Sequence, residues 1–133
     1  MKHLVIHCSA TRPSQNVDAA TIRRWHTQER GWSDIGYHYV IKRDGTIEKG
    51  RPENVAGAHV RGHNRRSLGI CMAGGVSEQD VDVAEDNFTN EQWTALHCLL
   101  GDLTERYPQA KVVGHRDLNP GKDCPSFDVT KRS

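Results

Sequence analysis

Short apolar runs along this chain alternate with segments whose apolar residues recur every three or four positions. Residues 4–7, reading Leu-Val-Ile-His, predict a short core strand. Ser67–Met72 predicts a second apolar strand, which stops at Gly74 and Gly75. The run Lys111–Gly114 predicts a third.

A hairpin is predicted in the first half of the chain. Residues 37–42 and 46–48 have strand-forming compositions, and Asp44 and Gly45 lie between them. An Asp-Gly pair suits a tight hairpin turn because its residues tolerate positive φ. We therefore expect two antiparallel strands here.

Two segments have helical periodicity. Asp18 can cap a helix that carries Ile22, Trp25 and His26 at helical spacing and ends at Gly31. The second helix follows a capping box formed by Thr89 and Gln92 and ends at Pro108. Its apolar residues recur by threes and fours: Trp93, Leu96, Leu100, Leu103 and Tyr107.

Strands that alternate with helices favour an α/β fold. We expect residues 1–133 to form a single domain with a central mixed β-sheet flanked by helices, since a chain of 133 residues fits one core. The formal net charge of +1 gives no electrostatic case for nucleic acid as a partner. No apolar run approaches the roughly 18 residues of a membrane span, and we expect no signal peptide and synthesis in the cytoplasm.

The four cysteines are scattered and include no CxxC pair, which argues against a four-cysteine zinc site or a redox dithiol. We expect Cys8, Cys71 and Cys98 to be small buried hydrophobic residues. Cys124 differs because polar and turn-forming residues surround it.

The acidic stretch 77–87 is interpreted as a solvated loop. Asp80 and Asp82 resemble the start of a calcium-binding EF-hand loop, but the required glycine is missing, so that alternative is weak.

Three residues could form a metal site if the fold brings them together. His7, His115 and Cys124 would give a zinc ion two imidazoles and a thiolate, and would leave a fourth position open, as catalytic zinc sites do. The alternative is that His7 merely ends a core strand. Because side chains alternate along a strand, His7 and Cys8 should point to opposite faces, and only one should reach the metal.

Further polar residues could complete a catalytic site. Near a metal, the ammonium of Lys122 could stabilise an oxyanion, and the hydroxyl of Tyr37 could orient a water molecule. Alternation places Tyr37 and Tyr39 on one face of their strand and His38, as an interior hydrogen-bonded histidine, on the other. The alternatives are a solvated loop lysine and a tyrosine that only packs.

Residues 57–64 form a glycine-containing polar loop that carries His59 and Asn64. Such a loop can line a cleft and donate hydrogen bonds to an amide-rich or sugar ligand. The alternative is an ordinary surface loop.

These segments together resemble the type 2 N-acetylmuramoyl-L-alanine amidases, a zinc amidase family that includes phage lysozymes of the amidase type and peptidoglycan recognition proteins. The matching segments occur in family order over nearly the whole chain: residues 7–11 (HCSAT), 22–26 (IRRWH), 31–39 (GWSDIGYHY), 42–46 (KRDGT), 57–59 (GAH), 64–70 (NRRSLGI) and 114–128.

The resemblance implies Zn²⁺ as the cofactor, with His7, His115 and Cys124 as its ligands. It also implies that Tyr37 and Lys122 are catalytic. His59, and with it Asn64, would border the substrate groove. The implied reaction is hydrolysis of the amide between N-acetylmuramic acid and L-alanine in peptidoglycan.

The resemblance favours a compact phage or prophage endolysin, expected to be a monomer that acts on the bacterial cell wall after release. A non-catalytic module that binds muropeptide is the alternative function. Non-catalytic members of the family lack the cysteine ligand, and the presence of Cys124 here favours an enzyme.

Overall fold

Five strands form one mixed sheet in the order β3-β2-β4-β1-β5 in the computed structural model, which describes residues 1–118, 124, 125 and 129. The strands are β1 (His3–Cys8), β2 (Tyr39–Ile41), β3 (Ile47–Lys49), β4 (Ser67–Met72) and β5 (Lys111–Gly114). β1 lies between β4 and β5 and is parallel to both, while only the β2–β3 pair is antiparallel among the described residues. The predicted mixed sheet and hairpin are therefore confirmed.

Helices follow the predicted caps. Helix α1 (Ala19–Arg24) begins after Asp18, whose carboxylate accepts a hydrogen bond from the Thr21 backbone N–H at 2.8 Å, and continues into a π-helical turn, Trp25–Glu29. Helix α2 (Asn90–Arg106) begins with the predicted capping box. A short 3₁₀ turn, Asn64–Arg66, precedes β4, and a short helix α3 (His115–Leu118) follows β5.

The two faces of the sheet carry separate apolar clusters, so helices flank the sheet as predicted. α2 covers the face formed by Leu4, Ile6 and Cys8 of β1. α1 covers the opposite face, where Ile22 packs near Val40 and Cys71. No helix in the described part of the chain is both long and apolar enough to cross a bilayer.

The alternation predicted for Tyr37 is wrong. β2 begins only at Tyr39, and Tyr37 packs against the α1-side cluster whereas Tyr39 belongs to the α2-side cluster. The residues before Tyr39 do not follow the pleat of the strand, so a period of two does not extend to Tyr37. His38 is buried and hydrogen-bonded, as predicted.

Cys98 also differs from its prediction: Cys8 and Cys71 are buried, but Cys98 is exposed. The buried residues of α2 include Leu96, Leu99 and Leu103. At about 100° per residue, position 98 turns away from that stripe. The acidic stretch 77–87 is a loop, as predicted.

Candidate metal centre and active site

The fold brings His7, His115 and Cys124 into one cluster. One potential ligand atom from each residue lies within 4.8 Å of the other two. Cys124 Sγ is 3.8 Å from His7 Nδ1, and the rings of His7 and His115 have centroids 4.7 Å apart. The structure thus unites the three residues predicted as metal ligands.

The parallel pairing of β1 with β5 explains this convergence. His7 lies near the carboxyl end of β1, and His115 directly follows the carboxyl end of β5. Carboxyl ends of parallel strands share one edge of the sheet, where open α/β folds place their ligand sites. As predicted, His7 points away from the apolar face that carries Cys8, and the Cys8 backbone N–H donates to Cys124 Sγ at 3.2 Å.

The electrostatics of the cluster favour a neutral His7. Burial lowers the pKa of His7 well below 6.5, and the neighbouring His59 and His115 lower it further. A neutral imidazole keeps a lone pair, which a metal ligand requires. The contact with Cys8 and burial together raise the pKa of the Cys124 thiol, although the Cys8 backbone N–H acts in the opposite direction.

The donor set fits a zinc ion. Tetrahedral zinc with ordinary bond lengths places its nitrogen and sulfur ligands about 3.3–3.6 Å apart. The distance of 3.8 Å between Cys124 Sγ and His7 Nδ1 is close to this value, and the cluster as a whole stays within 4.8 Å. Two imidazoles and a thiol are ligands of the type that zinc prefers.

Tyr37 lies beside the cluster although it is not in a strand. Its ring centroid is 5.1 Å from that of His7. Burial raises the pKa of the Tyr37 phenol well above 10, so the hydroxyl keeps its proton at neutral pH. The protonated Tyr37 hydroxyl can therefore act as a hydrogen-bond donor, and its ring lies next to that of a predicted metal ligand.

An open cavity of about 620 Å³ gives access to these residues. His7, Tyr37 and His115 contribute to its lining, and the side chains of Arg30 and Arg61 also line it. It is large enough for a ligand the size of a short peptide attached to a sugar. Sequence reasoning missed the two arginines, because isolated arginines carry no local signal.

The loop residues predicted to bind substrate also line this cavity, and both make defined internal contacts. His59 is buried, and its Nδ1 lies 2.9 Å from His7 Nε2. Asn64 Oδ1 accepts hydrogen bonds of 2.9 Å from the backbone N–H groups of His59 and Val60, which fixes the loop. Contact of His59 and Asn64 with substrate stays a prediction. Lys122 lies outside the described residues.

Ser67 is another polar residue that sequence reasoning missed. It opens β4, is buried, and places its Oγ 3.3 Å from His59 Nε2. A serine at the start of an apolar strand has no distinctive pattern, so only the fold reveals this contact.

Comparison with known proteins identifies the family of this chain. The profile of the family described as N-acetylmuramoyl-L-alanine amidase matches residues 1–127. The chain is 46% identical over 128 residues to the endolysin of Escherichia phage T7, a match that covers 96% of this chain and 82% of the phage protein. It is 30% identical over 137 residues to peptidoglycan-recognition protein SC2 of Drosophila melanogaster, covering 97% of this chain and 70% of the fly protein.

Solved structures share the fold. The endolysin N-acetylmuramoyl-L-alanine amidase LysCS from Clostridium intestinale superposes with a TM-score of 0.81 at 34% identity, over 96% of this chain and 76% of that chain. Peptidoglycan-recognition protein SA of the bumblebee gives a TM-score of 0.82 at 26% identity, over 99% of this chain and 79% of that chain. With profile, relatives and fold in agreement along nearly its full length, the chain belongs to the N-acetylmuramoyl-L-alanine amidase family.

Proposed function

We propose that the protein is a zinc-dependent endolysin that hydrolyses the amide between N-acetylmuramic acid and L-alanine in peptidoglycan. Membership of the amidase family and the endolysin relatives support the reaction and its place at the bacterial cell wall. The observation that carries the role of zinc is the cluster of His7, His115 and Cys124 at the edge of the sheet. The presence of Cys124 favours hydrolysis over binding alone.

His7, His115 and Cys124 would hold the metal. When bound, zinc supplies Lewis acidity, which polarises the amide carbonyl and makes water a better nucleophile at neutral pH. Burial keeps the His7 ring neutral, and Cys124, whose thiol pKa is raised, would release its proton when the metal binds.

Tyr37 would position the reacting groups. Its protonated hydroxyl can donate a hydrogen bond to the attacking water or to the carbonyl oxygen as negative charge develops there. Attack of water on the carbonyl carbon breaks the C–N bond, and the amine of L-alanine leaves with a proton. Stabilisation of the oxyanion by Lys122 remains a proposal from the family resemblance.

The cavity suits a peptide that carries carboxylates. Arg30 and Arg61 line it, and their positive charges would attract the acidic groups of a stem peptide. Substrate contact by His59 and Asn64, which line the same cavity, is proposed as well.

The proposal is tested with purified muropeptide. Mass spectrometry should detect a free stem peptide with an L-alanine amino terminus and a glycan that keeps its lactyl group. Chelation should abolish release of the peptide, and zinc should restore it. Turnover by metal-free protein, or cleavage between sugars instead, would overturn the proposal.

Variants of the cysteines provide the matched control. Cys124→Ala should lose both tight zinc binding and cleavage, because it removes a ligand. Cys98→Ala should keep both, since Cys98 is exposed on α2.

A further inference from the structure

A chain of hydrogen bonds runs through the interior behind His7. Ser67 Oγ donates to the backbone carbonyl of His63 at 2.7 Å and lies 3.3 Å from His59 Nε2. His59 Nδ1 in turn lies 2.9 Å from His7 Nε2. The other nitrogen of His7, Nδ1, faces Cys124 Sγ at 3.8 Å. We call the set of His7, His59 and Ser67 the histidine relay.

The direction of each proton in the histidine relay follows from the carbonyl at its end. A carbonyl oxygen only accepts hydrogen bonds, so the single hydroxyl proton of Ser67 is donated to the backbone carbonyl of His63. Ser67 Oγ must then accept from His59 Nε2–H. A neutral His59 consequently has a lone pair on Nδ1, which accepts from His7 Nε2–H.

This order leaves the lone pair of His7 on Nδ1, the nitrogen that faces Cys124. The opposite tautomer would place a proton on Nδ1 and block it as a ligand. The second nitrogen of a metal-ligating histidine ordinarily donates to a carboxylate, a carbonyl or water. Here a second histidine takes that role, and Ser67 determines which of its nitrogens accepts.

The fold holds the histidine relay tightly. Ser67 is 2% exposed and His59 8% exposed, so water has little access to compete for these bonds. Asn64 fixes the backbone at His59 through its side-chain oxygen. Gly69 in β4 makes room for the ring, because a Cβ atom there would lie 2.6 Å from His59 Cγ.

We propose that His59 and Ser67 are positioning residues which lock His7 in the Nε2–H tautomer and so prepare its Nδ1 to bind the metal. This inference deepens the proposed function and rests on its metal site. It gives His59 a task that does not require contact with substrate.

The first test reads the tautomer without metal. Long-range ¹H–¹⁵N spectra of the metal-free protein should show His7 protonated on Nε2, and His59→Leu should shift this population toward Nδ1–H. Wild-type protein with its His7 proton on Nδ1 would overturn the inference. Because no zinc and no substrate are present, this outcome is independent of whether the proposed function holds.

The second test measures zinc affinity by competition with a chromogenic chelator. His59→Leu, which keeps a similar volume and removes the acceptor, should weaken zinc binding about 10–100-fold. His59→Asn should recover part of this loss, because its carboxamide oxygen can accept near the original Nδ1 position. Equal affinities for wild type and a folded His59→Leu variant would contradict the inference.

Variants of Ser67 separate the role of its hydroxyl from simple packing. Ser67→Ala removes the hydroxyl acceptor of His59 Nε2–H and leaves the ring with only its contact to the Ser67 backbone, so the preference for one tautomer should weaken and zinc affinity should fall. Ser67→Thr keeps the hydroxyl and should retain more affinity than Ser67→Ala. Thermal unfolding and circular dichroism establish that each variant is folded, and the reverse order of affinities would count against the relay.

Discussion

Tyr37 combines proximity to the metal position with a phenol that burial keeps protonated. Tyr37→Phe should lower kcat about 10²–10³-fold, as removal of a donor to a developing oxyanion does elsewhere. Zinc affinity should be unchanged, because the phenol is not among the three proposed ligands. Rates of stem-peptide release and chelator competition measure the two quantities separately.

The raised pKa of the Tyr37 phenol also predicts how activity depends on pH. A raised pKa means that the hydroxyl stays protonated up to and beyond pH 10, so its ionisation should not produce a fall in activity between pH 7 and 10. Tyr107→Phe is the matched control, since Tyr107 lines a different cavity, and it should keep wild-type kcat. An equal loss of kcat in Tyr37→Phe and Tyr107→Phe would contradict a catalytic role for Tyr37.

Gly69 tests how closely His59 is seated. Gly69→Ala should lower the free energy of unfolding by about 1–3 kcal/mol, because its Cβ would lie 2.6 Å from the His59 ring in a well-packed interior. Gly101 in α2 has no atom near its added Cβ, so Gly101→Ala should stabilise the protein by about 0.5–1 kcal/mol. Chemical denaturation measures both, and a neutral Gly69→Ala would show that the ring can move.

For individual residues, the sequence predicted the three metal ligands but not the polar residue that contacts His59 behind them. His7, His115 and Cys124 were identifiable because their residue types and family order point to a metal. Ser67 was not, because its contact with His59 depends on how the loop folds over β4. Tyr37 was identified although its predicted strand geometry was wrong.

Among the elements, α2 is tied to the rest of the fold by polar contacts at both ends. At its start, the buried Gln92 donates to the backbone carbonyls of Ile41 and Ala73 at 3.2 and 2.8 Å. Near its end, Arg106 and the Tyr107 hydroxyl bind the Glu53 carboxylate, which also accepts from the Tyr39 hydroxyl. These contacts fix the helix on the face of the sheet opposite to α1.

Glu53→Gln should lower the free energy of unfolding by about 1–3 kcal/mol, since a neutral amide cannot accept all of these hydrogen bonds. Burial alone would raise the pKa of Glu53, but the hydrogen bonds from Arg106, Tyr39 and Tyr107 outweigh it and hold the pKa below 4.5. The carboxylate therefore stabilises the fold fully above pH 4.5, and this contribution is lost as pH falls through the lowered pKa.

Denaturation curves between pH 2 and 7 check this expectation. The difference between wild type and Glu53→Gln should be largest above pH 4.5 and should narrow in acid. Glu105→Gln, an exposed site on the same helix, should change stability by less than about 0.5 kcal/mol at every pH. A pH-independent difference for Glu53→Gln would mean that its charge has no part in the effect.

Caps and periodicity predicted the elements well, and local geometry explains the exceptions. The Thr89 and Gln92 capping box places the start of α2 correctly. The π-helical turn after α1 has no sequence signature distinct from a longer α-helix. β2 covers Tyr39–Ile41, a shorter stretch than the predicted residues 37–42.

Across the whole molecule, the site depends on contacts between distant parts of the chain. His7 and Cys124 are 117 residues apart in sequence, and the parallel pairing of β1 with β5 brings their neighbourhoods together. Alternation of strands and helices predicted a mixed sheet. The order of the strands depends on which of them pair in the folded protein, and the local sequence pattern does not specify those pairs. Only the family resemblance anticipated which distant segments meet.

A metal that bridges β1 and the segments after β5 should stabilise the whole fold. Zinc at one hundred times its Kd would add about 2.7 kcal/mol to the free energy of unfolding if it binds only the native state. For a chain of 133 residues this corresponds to a rise in Tm on the order of 10 °C. Calorimetry of metal-free and zinc-loaded protein should show this rise in wild type and in Cys98→Ala, but not in Cys124→Ala. An identical Tm with and without zinc in wild type would show that zinc does not bind the native state more tightly than the unfolded chain, and would contradict the proposed metal site.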